Sequence, residues 1–297
     1  MSAEPTAPAA LAATRPMYWS VRRELWENRS IYVAPLVTAA VFLFGFSIST
    51  FTLPRRVRAA LALDPAQLPA SLSMPFGMAA TLIIVTGYIV GIFYCLDALY
   101  GERRDRSILF WKSLPVSDLT TVLSKASVPL VVLPVLALAL GLATQLAMLM
   151  LTTVVLLGSG LGVAPLWARQ LQMTPVLFYG LAVHVAWHAP LWAWLLLVSS
   201  WARRAPFLWA VLPPLALGVF ERIAFQTTHL GALMRYRVTG AMTEAFVLEP
   251  GSKGHVTRLS QLDPLGFLGS PGLWIGLVAA AAFLAAAARM RRNREPI

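Results

Sequence analysis

From Ala126 to Ala168 the chain runs for 43 residues without a charged side chain. A helix needs roughly 20 apolar residues to cross a hydrocarbon core of about 30 Å. Shorter apolar runs recur on either side, over about Ile31 to Leu53, Phe76 to Leu96, the stretch between Arg169 and Arg203, Ala205 to Phe225, and Leu273 to Ala288. In lipid only structures that satisfy their own backbone hydrogen bonds survive, and runs of this length select helices over strands. Charged residues make up 12% of the chain and hydrophobic residues 58%, whereas a soluble domain carries about 25% charged residues. The sequence therefore predicts an all-α integral membrane protein.

The net charge of +11 does not indicate a nucleic-acid partner. Nucleic-acid binders gather Lys and Arg on one face of a soluble domain, whereas here they sit at the ends of apolar runs, where they orient spans. Their distribution also decides how many spans the 43-residue run holds. With one span there, the chain has six, and both termini lie on one side. Put that side in the cytoplasm, and 15 of the 24 basic residues fall inside: Arg15, Arg22, Arg23, Arg29, Arg103, Arg104, Arg106, Lys112, Lys125, Arg203, Arg204, Arg289, Arg291, Arg292 and Arg294. Two spans in that run would move Arg203, Arg204 and the basic tail outside. The expected topology is thus six spans, N-in and C-in, with Arg55, Arg56 and Arg58 as an outside exception that the pattern does not explain.

Around this core the expected organisation is as follows. Residues 1–16, rich in Ala, Pro and Thr, form a disordered tail and lack the basic and apolar regions of a signal peptide. Residues 17–29 form an amphipathic interfacial helix, with Tyr18, Val21 and Leu25 on one face beside Trp19 and Trp26; a solvated helical leader is the alternative. Residues 30–290 hold the spans, with a charged loop over 100–125 and a large polar outer loop over 226–271. Residues 291–297 are a basic tail. The single cysteine, Cys95, lies in an apolar run and reads as packing.

The most informative segment is 100–125. A charge cluster, Glu102, Arg103, Arg104, Asp105 and Arg106, precedes an apolar patch, Ile108, Leu109, Phe110 and Trp111. Pro115 breaks any helix, and Ser117 or Asp118 can cap the next one. Aromatics flanked by charge suit docking to a soluble partner. They equally suit a helix whose Phe110 and Trp111 dip into the membrane surface.

These residues carry a resemblance. Glu102-Arg103 just after the second span, the patch Ile108 to Trp111, the turn Leu114-Pro115-Val116-Ser117 and Lys125 before the third span are similar, in order and placement, to permease subunits of bacterial ATP-binding-cassette exporters of the type-2 class. Arg106-Ser107 departs from that pattern, since many members have Gly-Thr there. The motif match covers about 25 residues and the topology match the whole chain. The resemblance implies a multi-pass inner-membrane permease, paired with a second copy or a related permease. It also implies that Glu102, Arg103, Arg104, Asp105, Ile108, Leu109, Phe110, Trp111 and Pro115 form a coupling helix docked on a separate ATPase subunit. ATP and Mg would be bound by that subunit. The chain itself has no G-x-x-x-x-G-K-[ST] phosphate loop.

Polar residues in the spans supply the rival reading. His184 and His188 are four apart and share a helical face, a spacing that suits zinc. However, Val185 stands where a His-Glu-x-x-His protease has its general base, and Glu221 and Asp97 are third ligands only by elimination. The alternatives are an intramembrane metalloenzyme using His184 and His188, or a non-transporting membrane assembly factor. Imidazoles bonded across helices need neither. Trp187, Trp194 and Trp201 recur at spacing seven, so His184, Trp187, His188, Trp194 and Glu221 are residues for a substrate path. Pro213-Pro214 predicts a kinked fifth span.

Overall fold

The computed structural model describes residues 16–63, 68–113, 116–247, 256 and 258–293. The expected tail (apart from Pro16) and Pro115 lie outside these residues. The described chain is helical. In order it forms α1 (Pro16–Glu27), α2 (Ser30–Ser49), a 3-10 turn (Thr50–Thr52), α3 (Leu53–Leu63), α4 (Leu68–Ala98), α5 (Tyr100–Arg104), α6 (Ile108–Lys112), α7 (Asp118–Ser127), a π turn (Val128–Val132), α8 (Leu133–Leu157), α9 (Ala164–Trp201), α10 (Pro206–Phe225), α11 (His229–Ala245), α12 (Pro264–Gly269) and α13 (Pro271–Asn293). Among the described residues, six helical stretches are long and apolar enough to cross a membrane: Ser30–Ala62, Leu72–Arg104, Asp118–Leu157, Ala164–Trp201, Pro206–Phe225 and Pro271–Asn293.

The 43-residue run holds one long helix and the start of the next. The first ends at Leu157, and the chain turns through Gly160, whose φ of +74° costs a glycine nothing. The π turn over Val128–Val132 contains Pro129; the missing N–H and the ring are taken up by one widened turn, so the helix continues. Pro54 does not end the first span. The chain tightens to a 3-10 turn and restarts with Pro54 in the first turn of α3, where its lost N–H is not needed. The three unexplained arginines lie on α3. Arg56 donates to the carbonyl of Ser49 at 3.1 Å, and Arg58 to the carbonyl of Ser159 at 3.0 Å. Both carbonyls end helical stretches, so these arginines satisfy groups the helices leave open.

Two other expectations change. The stretch over 226–271, expected as a polar outer loop, contains α11 and α12. Glu221 accepts hydrogen bonds from the backbone N–H groups of His229 and Leu230 at 2.6 and 2.8 Å, and so caps the start of α11. Gly240 lets α11 lie directly on α9, since a Cβ there would come within 2.9 Å of the Trp187 ring. Residues 291–293, expected in the basic tail, belong to α13, and Arg291 is buried; residues 294–297 lie outside the described residues. α10 holds Pro213 and Pro214 inside one helix from Pro206 to Phe225, and Ala210 is its only buried residue.

The core follows the long helices. α9 packs along α13 and against α4, and α4 packs on α2 and α8. One cluster joins Ile31, Tyr94, Cys95, Leu133, Trp192 and Leu196. A second gathers Trp187, Val183, Ala241, Phe246 and Phe267 beneath α11.

Candidate functional site

The first site lies at the end of the bundle where α1, α5, α6, α7 and the close of α13 meet. Glu24, Glu102, Arg103, Lys125 and Arg291 are all buried here. Lys125 Nζ stands 2.9 Å from Glu24 and 3.1 Å from Glu102. Arg23 bridges the same two carboxylates at 2.6 and 3.1 Å. Arg291 reaches Glu102 at 3.3 Å and also pairs with Asp118. Tyr94 donates to Glu24 at 2.8 Å. Three acids thus meet three bases, and four separate helical elements are tied through them. Burial alone pushes the Glu24 carboxyl up, but the adjacent charges of Lys125 and Arg23 outweigh it and hold the group below its ordinary value. Arg103 is fixed differently, donating to the carbonyls of Ser199 and Ala202 at 3.0 and 2.5 Å, where α9 ends.

Glu102 and Arg103 therefore point inward and are engaged by the fold, although they sit in what reads as a surface charge run. Arg104 and Asp105 are exposed and pair with each other at 2.9 Å, and Arg104 also approaches Asp97 at 3.5 Å. The hydrogen bond from Arg104 holds the Asp105 carboxyl below its ordinary value. Arg106 then adopts φ +58°, a left-handed conformation that favours glycine. Ser117 caps α7 by accepting from the N–H of Thr120 at 3.0 Å, with Asp118 in the first turn.

α6 is a single turn with two faces. Ile108 is buried, whereas Leu109 and Phe110 are each 60% exposed. Trp111 is half-buried, with the guanidinium of Arg23 stacked 3.9 Å from its ring centre. Lys112 donates to the carbonyl of Arg292 at 3.3 Å. One buried anchor, one cation–π contact and one hydrogen bond thus hold α6 against α1 and α13. Leu109 and Phe110 project from this frame.

The second site lies between α4, α9, α10 and α11. A cavity of about 720 Å³ is lined by Tyr88, His188, Trp192, Trp194, Pro214 and Met234, with mostly apolar neighbours, and among the described residues Arg222 is the only arginine or lysine on its wall. A neighbouring cavity of about 540 Å³ is lined by Tyr88, His184, His188, Val238, Met242 and Phe246. The Tyr88 hydroxyl and His188 Nδ1 meet at 3.3 Å between them. The two histidine rings stack with centres 5.4 Å apart, and His184 Nδ1 lies 2.8 Å from the carbonyl of Gly180.

Of the residues read as a substrate path, His184, His188 and Trp194 line these cavities. Trp187 and Glu221 do not. Trp187 is fully buried and donates to the carbonyl of Arg237 at 3.0 Å, with the Arg237 guanidinium over its ring. Glu221 caps α11. Trp201 meets Trp209 edge to face, with ring centres 5.0 Å apart. Spacing of seven brings the three tryptophans near one face of α9, but α11 covers that face at Trp187 and leaves it open at Trp194. Among the described residues, no three His, Cys, Asp or Glu side chains gather in a way that could hold a metal ion. Tyr88, Arg222, Glu24 and Arg291 were not picked out as site residues. The first lies within an apolar run, Glu24 meets Tyr94 and Lys125 from 70 and 101 positions away, and Arg291 meets Asp118 and Glu102 from 173 and 189 positions away. No family model, no curated protein and no solved structure matches the chain.

Proposed function

We propose that the chain is the permease subunit of a type-2 ATP-binding-cassette exporter, working in a bacterial inner membrane. The observation that carries the reading is α6, whose Leu109 and Phe110 stand exposed while Ile108, Trp111 and Lys112 fix it to α1 and α13, beside the buried ion pairs that tie α1, α5, α7 and α13. Two apolar side chains raised on a braced mount suit insertion into a groove of a soluble partner, because such a mount transmits a push instead of yielding to it. The same end carries most of the basic residues, which supports a cytoplasmic location for it and for both termini. α1, with Tyr18, Trp19 and Trp26 exposed, then lies at the membrane interface.

In this reading a separate ATPase binds ATP and Mg and closes on itself when loaded. α6 carries that motion into the bundle. The ion-pair cluster passes it to α4, α7 and α13 together, since each contributes a group to it or continues into one that does. The cavities beside α9 change shape and the cargo path switches. A second permease copy completes the path. The tagged chain, purified from its own membranes in a mild detergent, tests this. Recovery of an ATP-binding-cassette ATPase in stoichiometric amount is expected, and recovery of the chain with no ATPase overturns it.

A further inference from the structure

We propose that the two cavities beside α9 form one trough that binds a long-chain amphiphile with a single anionic head group, its chain lying under α11 and its head at Arg222. One stripe of α11 roofs both spaces: Leu230 and Met234 line the larger cavity, and Val238 and Met242 line the smaller. These residues follow each other at intervals of four, so each sits about one turn beyond the last and the stripe winds slowly round α11. From Leu230 to Met242 the stripe extends about 18 Å at the rise of an α-helix. One leaflet fills half of a hydrocarbon core of about 30 Å, so an acyl chain at its packed length of about 15 Å covers most of the stripe.

The chemistry of the walls fits this ligand. Ligand sites are mostly apolar, with a few polar groups that set orientation. Here the floor groups, Tyr88 and His188, are turned to each other at 3.3 Å and form a waist between the two cavities. Trp194 gives its N–H to the carbonyl of Ala210 at 3.1 Å. An acyl chain asks nothing of such walls. Arg222 is the exception, an exposed cation on the wall of the larger cavity. Among the described residues it forms no ion pair with its neighbour Glu221, whose oxygens are turned to Thr227 and the start of α11. One positive charge at one end of an apolar trough selects one negative charge at one end of an apolar chain.

This binding does not depend on an ATPase docking at α6, so it and the permease reading fail separately. The full chain in nanodiscs of neutral phosphatidylcholine is irradiated with a palmitate analogue that carries a diazirine on its chain. Labelled peptides are then mapped. Label concentrated on α11 and on α9 from His188 to Trp194 is expected. Unlabelled palmitate would mark a free fatty acid as the occupant, and phosphatidylglycerol a membrane lipid; competition by either supports the trough. Arg222→Gln should weaken competition by palmitate about five-fold, the worth of one cation near an anionic lipid head, and leave competition by hexadecanol unchanged. Met234→Trp should remove the label, and Leu230→Trp serves the same purpose if that variant does not fold. Equal labelling of the exposed face of α2, or hexadecanol competing as well as palmitate in the wild type, overturns the proposal.

Discussion

Replacing Lys125 with methionine removes the more deeply buried of the two cations that contact both Glu24 and Glu102, at 2.9 and 3.1 Å. The ammonium is 3% exposed and Glu24 is 1% exposed, so solvent cannot take over the abandoned charges. Breaking a buried pair by removing one partner costs about 3–5 kcal/mol, because the other is left buried and uncompensated. Arg23 still contacts both carboxylates, which places the expected loss near 3 kcal/mol, the lower end of that range. Thermal unfolding of the purified protein in detergent should fall by on the order of 10 °C. Arg204→Met, at an exposed position, should change it little. A double-mutant cycle with Glu24→Gln should give a coupling of about 1 kcal/mol or more. The pH dependence follows the same logic. Glu24 titrates below its ordinary value in the folded protein, so its contribution is complete above the ordinary glutamate value of about 4.3. It is lost as the pH falls through the lowered native value. Glu24→Gln should flatten that acid limb. A Lys125→Met protein that melts with the Arg204→Met control would refute the reasoning.

Three further outcomes are expected. Arg106→Gly should raise the melting temperature, since a left-handed conformation costs a side chain roughly 1 kcal/mol, and Arg106→Val should lower it; no difference between the two would contradict the turn geometry. His184→Ala with His188→Ala should leave ATP hydrolysis by the permease–ATPase complex largely intact. Metal analysis is the check, and one zinc per chain lost together with activity in the double variant would support the metalloenzyme instead. In intact cells a cysteine at Leu265 should react with an impermeant reagent, while one at Asp105 should react only after permeabilisation. The native Cys95 is buried and should stay silent; the reverse pattern would invert the topology.

The apolar runs made the six long helices legible, because length and the absence of charge are local properties that a membrane enforces directly. The lone span in the 43-residue run was legible from the distribution of arginines and not from the run itself. α11 was not legible. Its Arg235, Arg237 and Glu244 gave the stretch a polar look, and its helix depends on a cap from Glu221 on α10 and on Gly240 lying against Trp187 of α9. The inward turn of Glu102 and Arg103 was hidden for a related reason. Arg23 and Arg291, which hold Glu102, are 79 and 189 positions away, so a run of five charges looked like a surface. The path residues divided in the same way. His184, His188 and Trp194 face open space, while Trp187 and Glu221 are consumed by the docking of α11, a helix that the local pattern did not announce.

The central claim is that Leu109 and Phe110 are the mount for an ATPase. Its most direct test is capture of that ATPase by wild-type chain and by the Leu109→Ala, Phe110→Ala variant, at matched expression and in the same detergent. Both side chains are exposed, so the variant should fold and insert as the wild type does. Each anchor buried in such a contact contributes roughly 2 kcal/mol, about thirty-fold in affinity. The account predicts that the double variant loses the ATPase and that Arg104→Ala, at the rim, keeps it with a greater sensitivity to salt. Equal recovery of the ATPase by wild type and double variant would contradict it and return α6 to a helix resting on the membrane surface.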